Sequence, residues 1–164
     1  MFQEGKMRRS SFILLVFSFL FAYSQQGLTQ EQTKKGYKVF LAEANAIVNT
    51  LEVADAINLV GDESVAFIDV REQEELDSSG KVPGAVYAPR GMLEFYIDAA
   101  SPYHKEIFSS GKKIIFYCAS GGRSALAAQL AMEMGLSDVA HVGGGFKAWV
   151  KADGPVEQST TITK

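Results

Sequence analysis

The chain of 164 residues holds one cysteine, Cys118, and two histidines, His104 and His141. A lone cysteine excludes an internal disulfide and any structural zinc site built on several thiolates. Neither histidine has a second histidine or a cysteine at ligand spacing, so the sequence suggests no metal centre. Basic residues are in slight deficit: 16 lysines and arginines against 19 acidic residues leave a formal charge of −3, which does not suggest a nucleic-acid surface. No internal repeat is visible. The longest apolar run, Phe12 to Ala22, falls short of the roughly 20 residues of a comfortable membrane span. The length and the ordinary apolar content fit one globular domain once any leader is removed.

The start of the chain does not read as part of that domain. Lys6, Arg8 and Arg9 form a basic segment ahead of the apolar run, and Ala22-Tyr23-Ser24 places small residues where a signal peptidase reads. Residues 1–24 are therefore predicted to be a signal peptide cut before Gln25, and the protein to be exported to a periplasmic or secreted location. The alternatives are an uncleaved membrane anchor and a core helix. No cysteine lies near the cut, so a lipoprotein anchor is unsupported, and after cleavage no stable membrane span is expected. In an oxidising compartment a single thiol has no internal partner to trap it. Residues 25–45 are predicted to be a polar linker followed by a short amphipathic helix over Tyr37–Ala44. Its apolar side is expected to pack on the domain, a partner surface being the alternative. The domain is assigned to residues 46–156 and a polar tail to 157–164.

Within the domain, strands and helices alternate. Ala46-Ile47-Val48 is predicted to be an edge strand, and Asn49 or Thr50 to cap a helix from Leu51 to Leu59. Val65 to Val70 is continuously apolar apart from Asp69, as a parallel strand buried on both faces should be. A charged helical turn over Glu72–Leu76, a turn at Lys81–Gly84 and a short strand at Ala85–Tyr87 follow. Short helices are predicted at Met92–Ile97 and around Ile107-Phe108. Val139–Val142 is the last strand, and Gly143-Gly144-Gly145 turns into a helix holding Phe146 and Trp149. This pattern implies an α/β fold with a mostly parallel central sheet and helices on both faces. The first crossovers are short, so edge strands of either direction remain open. The triple glycine lacks the lysine and spacing of a nucleotide loop.

The chemistry concentrates at Ile114-Ile115-Phe116-Tyr117-Cys118-Ala119-Ser120-Gly121-Gly122-Arg123-Ser124. A buried strand ends at the only cysteine; a polar loop with paired glycines follows; a run of strong helix formers begins at Ser124 and stops at Gly135. The thiol thus faces the positive end of a helix. Glycine-bearing loops can turn successive N–H groups toward an anion, and Arg123 adds a permanent charge. Such surroundings favour the nucleophilic form of a cysteine sulfur without a histidine base. The competing assignment is an inert buried cysteine. His104 sits in a loop that can lie near a pocket mouth, and His141 is assigned to strand structure.

Cys118 to Ser124 resembles the active-site loop of the rhodanese (sulfurtransferase) family. Two flanking stretches resemble its signatures in the same order: Phe67-Ile68-Asp69-Val70-Arg71-Glu72 with Gly80-Lys81-Val82-Pro83-Gly84-Ala85, and Gly144-Gly145-Phe146-Lys147-Ala148-Trp149. Lys81 stands where the family often has histidine, in a stretch without a chemical role. The resemblance implies a rhodanese-like three-layer fold and a sulfurtransferase in which Cys118 takes a sulfane sulfur as a persulfide. Ala119, Ser120, Gly121, Gly122, Arg123 and Ser124 would form the substrate-binding loop. Asp69 and Arg71 would support the site without performing the chemistry. Asp69 is expected either to bond the loop around Cys118 or to pair with Arg71 or cap a turn; Arg71 is expected to pair with Glu74 or Glu75. The implied partners are a small sulfur-containing anion or a protein persulfide as donor and a thiol or cyanide as acceptor, with no cofactor.

Two rivals are weighed against this. Cysteine phosphatases also run from Cys to Arg around an anion, but with one more intervening residue than Ala119, Ser120, Gly121 and Gly122 provide. A non-catalytic binding module on the same fold would have no need of an intact cysteine, glycines and Arg123. Within the sulfurtransferase reading, thiosulfate-using members often carry a basic residue after the cysteine. Ala119 leaves the mouth one cation weaker toward a dianion, which keeps persulfide and polysulfide donors open. For the leader, N-terminal sequencing of protein from its native host should find Gln25 as the first residue. A soluble cytosolic form beginning at Met1 or Met7 would refute the signal-peptide assignment.

Overall fold

Strands apolar on both sides need cover on both sides, and the fold supplies it. The computed structural model describes residues 34–158, so the predicted signal peptide and the last residues of the tail lie outside the described residues. In chain order the elements are α1 (Tyr37–Ile47), β1 (Asn49–Leu51), α2 (Val53–Asn58), β2 (Val65–Asp69), α3 (Gln73–Ser79), β3 (Val86–Tyr87), α4 (Leu93–Ile97), β4 (Lys113–Tyr117), α5 (Gly122–Glu133), β5 (Val139–Val142) and α6 (Gly145–Lys151). Short 3-10 turns cover Arg90–Met92 and Glu106–Ser109. The sheet has the order β1-β5-β4-β2-β3, and every neighbouring pair is parallel. Both edge strands therefore run with the rest.

Side chains alternate across each strand. From β4, Ile114, Phe116 and then Cys118 point into a core closed by Leu93 and Ile97 of α4 and Ala127, Ala128 and Ala131 of α5. Ile115 and Tyr117 point the other way, into a core closed by Ala56 of α2 and Phe146 and Trp149 of α6. The small alanines on α5 let that helix lie close to the sheet. Trp149 packs edge-on against Phe67, with ring centroids 5.8 Å apart, and its indole N–H donates to the Pro155 carbonyl at 2.9 Å.

The start of the domain differs from the sequence expectation. Ala46 and Ile47 belong to α1, and the Val48 N–H still bonds the Ala44 carbonyl at 2.9 Å. The edge strand is Asn49–Leu51, which pairs with Ala140, His141 and Val142, so neither Asn49 nor Thr50 caps a helix. The β-branched pair Ile47-Val48 suggested a strand, but its neighbours favour helix, and pairing with β5 selects the next three residues. Helix α1 lies against α5, with Ala44 fully buried and Leu41 next to Gly122, while Tyr37, Phe40 and Ile47 remain exposed. Helix α5 begins two residues before Ser124 and ends one residue before Met134, with Gly135 at φ +100° beyond it. Glu157, placed in the tail, exchanges two backbone hydrogen bonds of 2.8 Å with Lys81 and ties the chain end to that turn.

Ile115 is fully buried at the middle of the sheet. Ile115→Ala should cost about 2–5 kcal/mol, read in urea as a lower midpoint at unchanged slope.

Candidate active site

Strand β4 ends at Tyr117, and Cys118 follows with 1 % of its surface exposed. Ala119 and Ser120 lead to Gly121, whose φ of +94° lies in the left-handed region. That turn aims the Gly121 N–H at the Cys118 Sγ, 3.2 Å away. Gly122, Arg123 and Ser124 then form the first turn of α5, where a helix has no internal acceptor for its N–H groups. The sulfur is thus held at the partially positive end of a twelve-residue helix.

A second helix braces the same loop from behind. The Phe146 N–H donates to the Cys118 carbonyl at 2.7 Å and the Lys147 N–H to the Ala119 carbonyl at 3.0 Å. In a trans peptide the C=O and N–H point opposite ways, so this turns the N–H groups of Ala119 and Ser120 away from α6. Gly145 makes the approach possible. At φ +61°, a Cβ on it would strike the Cys118 carbonyl oxygen and lie 2.8 Å from the backbone nitrogens of Ser120 and Gly121. The glycines of the closing signature therefore serve the cysteine loop through backbone contact.

The charged residues pair otherwise than expected. Arg123 does not stand as a free cation: its two terminal nitrogens donate to the Glu75 carboxylate at 2.7 and 2.8 Å. The Arg123 bonds pull Glu75 down to about 2, and the Glu75 bonds hold Arg123 above its ordinary range. Glu75 also closes a capping box with Glu72 at the start of α3, which orients it. Arg71, expected to pair with Glu74 or Glu75, instead forks onto Asp69 with contacts of 2.6 to 3.1 Å, and both residues are buried. Of the two roles open for Asp69, the structure has the ion pair. Arg71 further donates to Ser79 Oγ and the Gly80 carbonyl, and its guanidinium lies 4.1 Å from the Phe146 ring centroid. Asp69 thus bears on the loop through Arg71 and Phe146. Burial, with the nearby Asp69 charge, pushes the Tyr117 phenol far up.

Ser124 is buried and donates to the Gly121 carbonyl at 3.0 Å. Its Oγ also lies 3.4 Å from His141 Nδ1, while His141 Nε2 lies 2.9 Å from Thr50 Oγ1. Burial lowers the His141 pKa, favouring the neutral ring. His104 contacts the Tyr96 carbonyl and Ser109, away from the loop. Ser120 is exposed, and Ala119 is half-buried on the wall of a pocket of about 440 Å³ between α3 and α6. Phe146, Lys147, Val150, Ser78 and Ser79 also line it. Sequence reading missed Glu75 as the partner of Arg123, and it missed Lys147 as a neighbour of Ala119. The only local hint of the second was that Lys147 lies inside a signature already matched.

The family described as Rhodanese-like domain matches residues 52–152. A solved structure of a Rhodopseudomonas palustris protein of unknown function, described as a possible tyrosine phosphatase, is 52 % identical; the match covers 76 % of this chain and 96 % of that one with a TM-score of 0.74. Thiosulfate sulfurtransferase/rhodanese-like domain-containing protein 3 of Mus musculus is 29 % identical over 57 % of this chain, and the match spans only 62 % of the mouse protein. Thiosulfate:glutathione sulfurtransferase of Homo sapiens is 24 % identical over 63 % of this chain and 95 % of its own length.

The Glu75–Arg123 pair has a pH signature. A carboxyl held at about 2, against 4.5 unperturbed, stabilises the fold above the higher value and loses that contribution as the pH falls through the interval. Glu75→Gln should therefore lower the melting temperature at pH 7, and the gap from the parent should narrow as pH drops from 4.5 toward 2. A gap independent of pH would show that the pair contributes nothing through its charge.

Proposed function

The chain belongs to the rhodanese-like domain family, and from that premise we propose that it is a sulfurtransferase with Cys118 as its nucleophile. The Cys118 thiolate attacks the outer sulfur of a donor, the donor's sulfur–sulfur bond breaks, and its electron pair leaves with the remainder, sulfite when the donor is thiosulfate. The protein then carries a Cys118 persulfide, whose outer sulfur passes to a thiol or cyanide. The observation that carries this reading is the Gly121 N–H on the Cys118 sulfur at the head of α5, an anion-stabilising contact on the chain's only thiol. The proposal also takes Asp69 and Arg71 as positioning residues, and it places the protein outside the cytoplasm on the strength of the N-terminal segment. Among the described residues no helix is long and apolar enough to cross a membrane.

Phosphatase chemistry is the weaker reading. Four residues separate Cys118 from Arg123, and both terminal nitrogens of Arg123 are bonded to Glu75. An arginine already forked onto a carboxylate has its charge largely neutralised, which weakens its attraction for a second anion such as a phosphoryl group.

Cys118→Ser should abolish sulfur transfer while leaving the melting temperature close to that of the parent. Mass spectrometry of the parent after donor treatment should show one added sulfur on the peptide containing Cys118. Retained transfer in the serine variant would overturn the mechanism, and rapid hydrolysis of an aryl phosphate by the parent would overturn the choice of chemistry.

A further inference from the structure

We propose that His141 is a positioning residue for Cys118: in its Nδ1–H tautomer it holds the Ser124 hydroxyl on the Gly121 carbonyl, and so keeps the Gly121 N–H aimed at the sulfur. The proposal rests on the reading of Cys118 as the nucleophile. His141 is 3 % exposed on strand β5, and the transfer of sulfur makes no direct use of it. Its ring stands beside Thr50, its partner in the pairing of β5 with β1, and reaches the first turn of α5 at Ser124.

The donors and acceptors fix the protons. A carbonyl only accepts, so the Ser124 hydroxyl gives its one proton to the Gly121 carbonyl, 3.0 Å away. The same Oγ lies 3.4 Å from His141 Nδ1 and is left there as an acceptor, so Nδ1 carries the ring proton. A neutral ring then has a bare Nε2, which accepts from the Thr50 hydroxyl at 2.9 Å. Burial favours that neutral ring, and no ion pair involves it among the described residues. The bonds therefore run one way, from Thr50 on the sheet edge through His141 and Ser124 to Gly121. The Gly121 N–H completes the chain at the Cys118 Sγ, 3.2 Å away.

The tautomer matters because Ser124 has one proton and two acceptors in reach. With the ring proton on Nε2, Nδ1 would compete with the Gly121 carbonyl for the hydroxyl. Gly121 needs that anchor. It caps α5 in the left-handed region at φ +94° and has no side chain to restrict it. Its carbonyl is held by two donors, the Ala125 N–H at 3.0 Å and the Ser124 hydroxyl. With that peptide plane fixed, the Gly121 backbone angles set where its own N–H points. A contact of 3.4 Å is a weak bond, so His141 acts on the direction of the hydroxyl more than on the stability of the fold.

NMR of the isotope-labelled full chain reads the tautomer: the His141 ring should carry its proton on Nδ1, and an Nε2–H ring would overturn the proposal. His141→Asn places an amide N–H where Nδ1 stands, and should keep both the Gly121 amide shift and the rate at which thiosulfate loads Cys118. His141→Leu offers no donor. Its Gly121 amide should shift and exchange faster while the β5 amides stay protected, and loading should slow roughly threefold, the worth of a weak hydrogen bond. Should the leucine variant fail to fold, His141→Gln takes its place: its longer amide reaches Thr50 rather than Ser124, and loading should slow as much. In a Ser124→Ala background, His141→Leu should slow loading no further, because its effect passes through that hydroxyl. Equal losses in the asparagine and leucine variants, or additive losses in the double variant, would overturn the proposal. The NMR measurements need no sulfur transfer. If the parent takes up no sulfur, the sulfurtransferase reading fails, and the Gly121 amide response still decides the role of His141.

Discussion

The site depends on two amide hydrogen bonds, from Phe146 to the Cys118 carbonyl and from Lys147 to the Ala119 carbonyl. They fix the peptide planes of the loop from the side opposite the sulfur. Without them the loop between β4 and α5 would be free to rotate its N–H groups, and a helix N-terminus acts on an anion only over its first turn. The bonds require α6 to begin almost in contact with the loop backbone, and Gly145 permits this because it has no Cβ.

The rest of the polar structure can be followed outward from there. Phe146 holds the start of α6, the Arg71 guanidinium lies over Phe146, and Asp69 neutralises Arg71 at the end of β2. A buried charge pair of this kind adds little net stability compared with an apolar substitute, yet leaving one partner alone is costly. Its use here is positional: the end of β2, the end of α3 and the start of α6 are tied to a single guanidinium. Glu75 does the corresponding work on the exposed side, anchoring Arg123 to α3.

These pairings change how the electrostatics of the loop should be understood. Arg123 is shared with Glu75, so its charge is partly neutralised, and the Gly121 N–H and the N-terminus of α5 also face the Cys118 sulfur. Backbone dipoles are fixed in place and need no reorganisation as charge develops, unlike a mobile side-chain cation. Among the described residues, Lys147 is the charged residue lining the neighbouring pocket that has no ion pair.

Much of this was legible in the residues. The apolar runs of β2 and β4, the helix formers after the loop, and Gly135 as the stop are local signals with local causes, and they marked the sheet and the cysteine turn. The three signatures in order pointed to the family because each carries its own backbone requirement. Chain order alone left open the direction of the edge strands, the start of β1 three residues beyond its expected place, and the partners of Arg71, Asp69 and Glu75. Several carboxylates lie within reach of each arginine along the sequence, and only the packing of α3 and β2 against β4 and α6 selects among them. The sequence by itself determined the cysteine turn and the elements that flank it, because propensity and periodicity act over a few residues. Tertiary structure alone decided what surrounds that cysteine, because Glu75 and Lys147 are brought to the loop by α3 and α6, helices distant in sequence that the folded sheet sets in place.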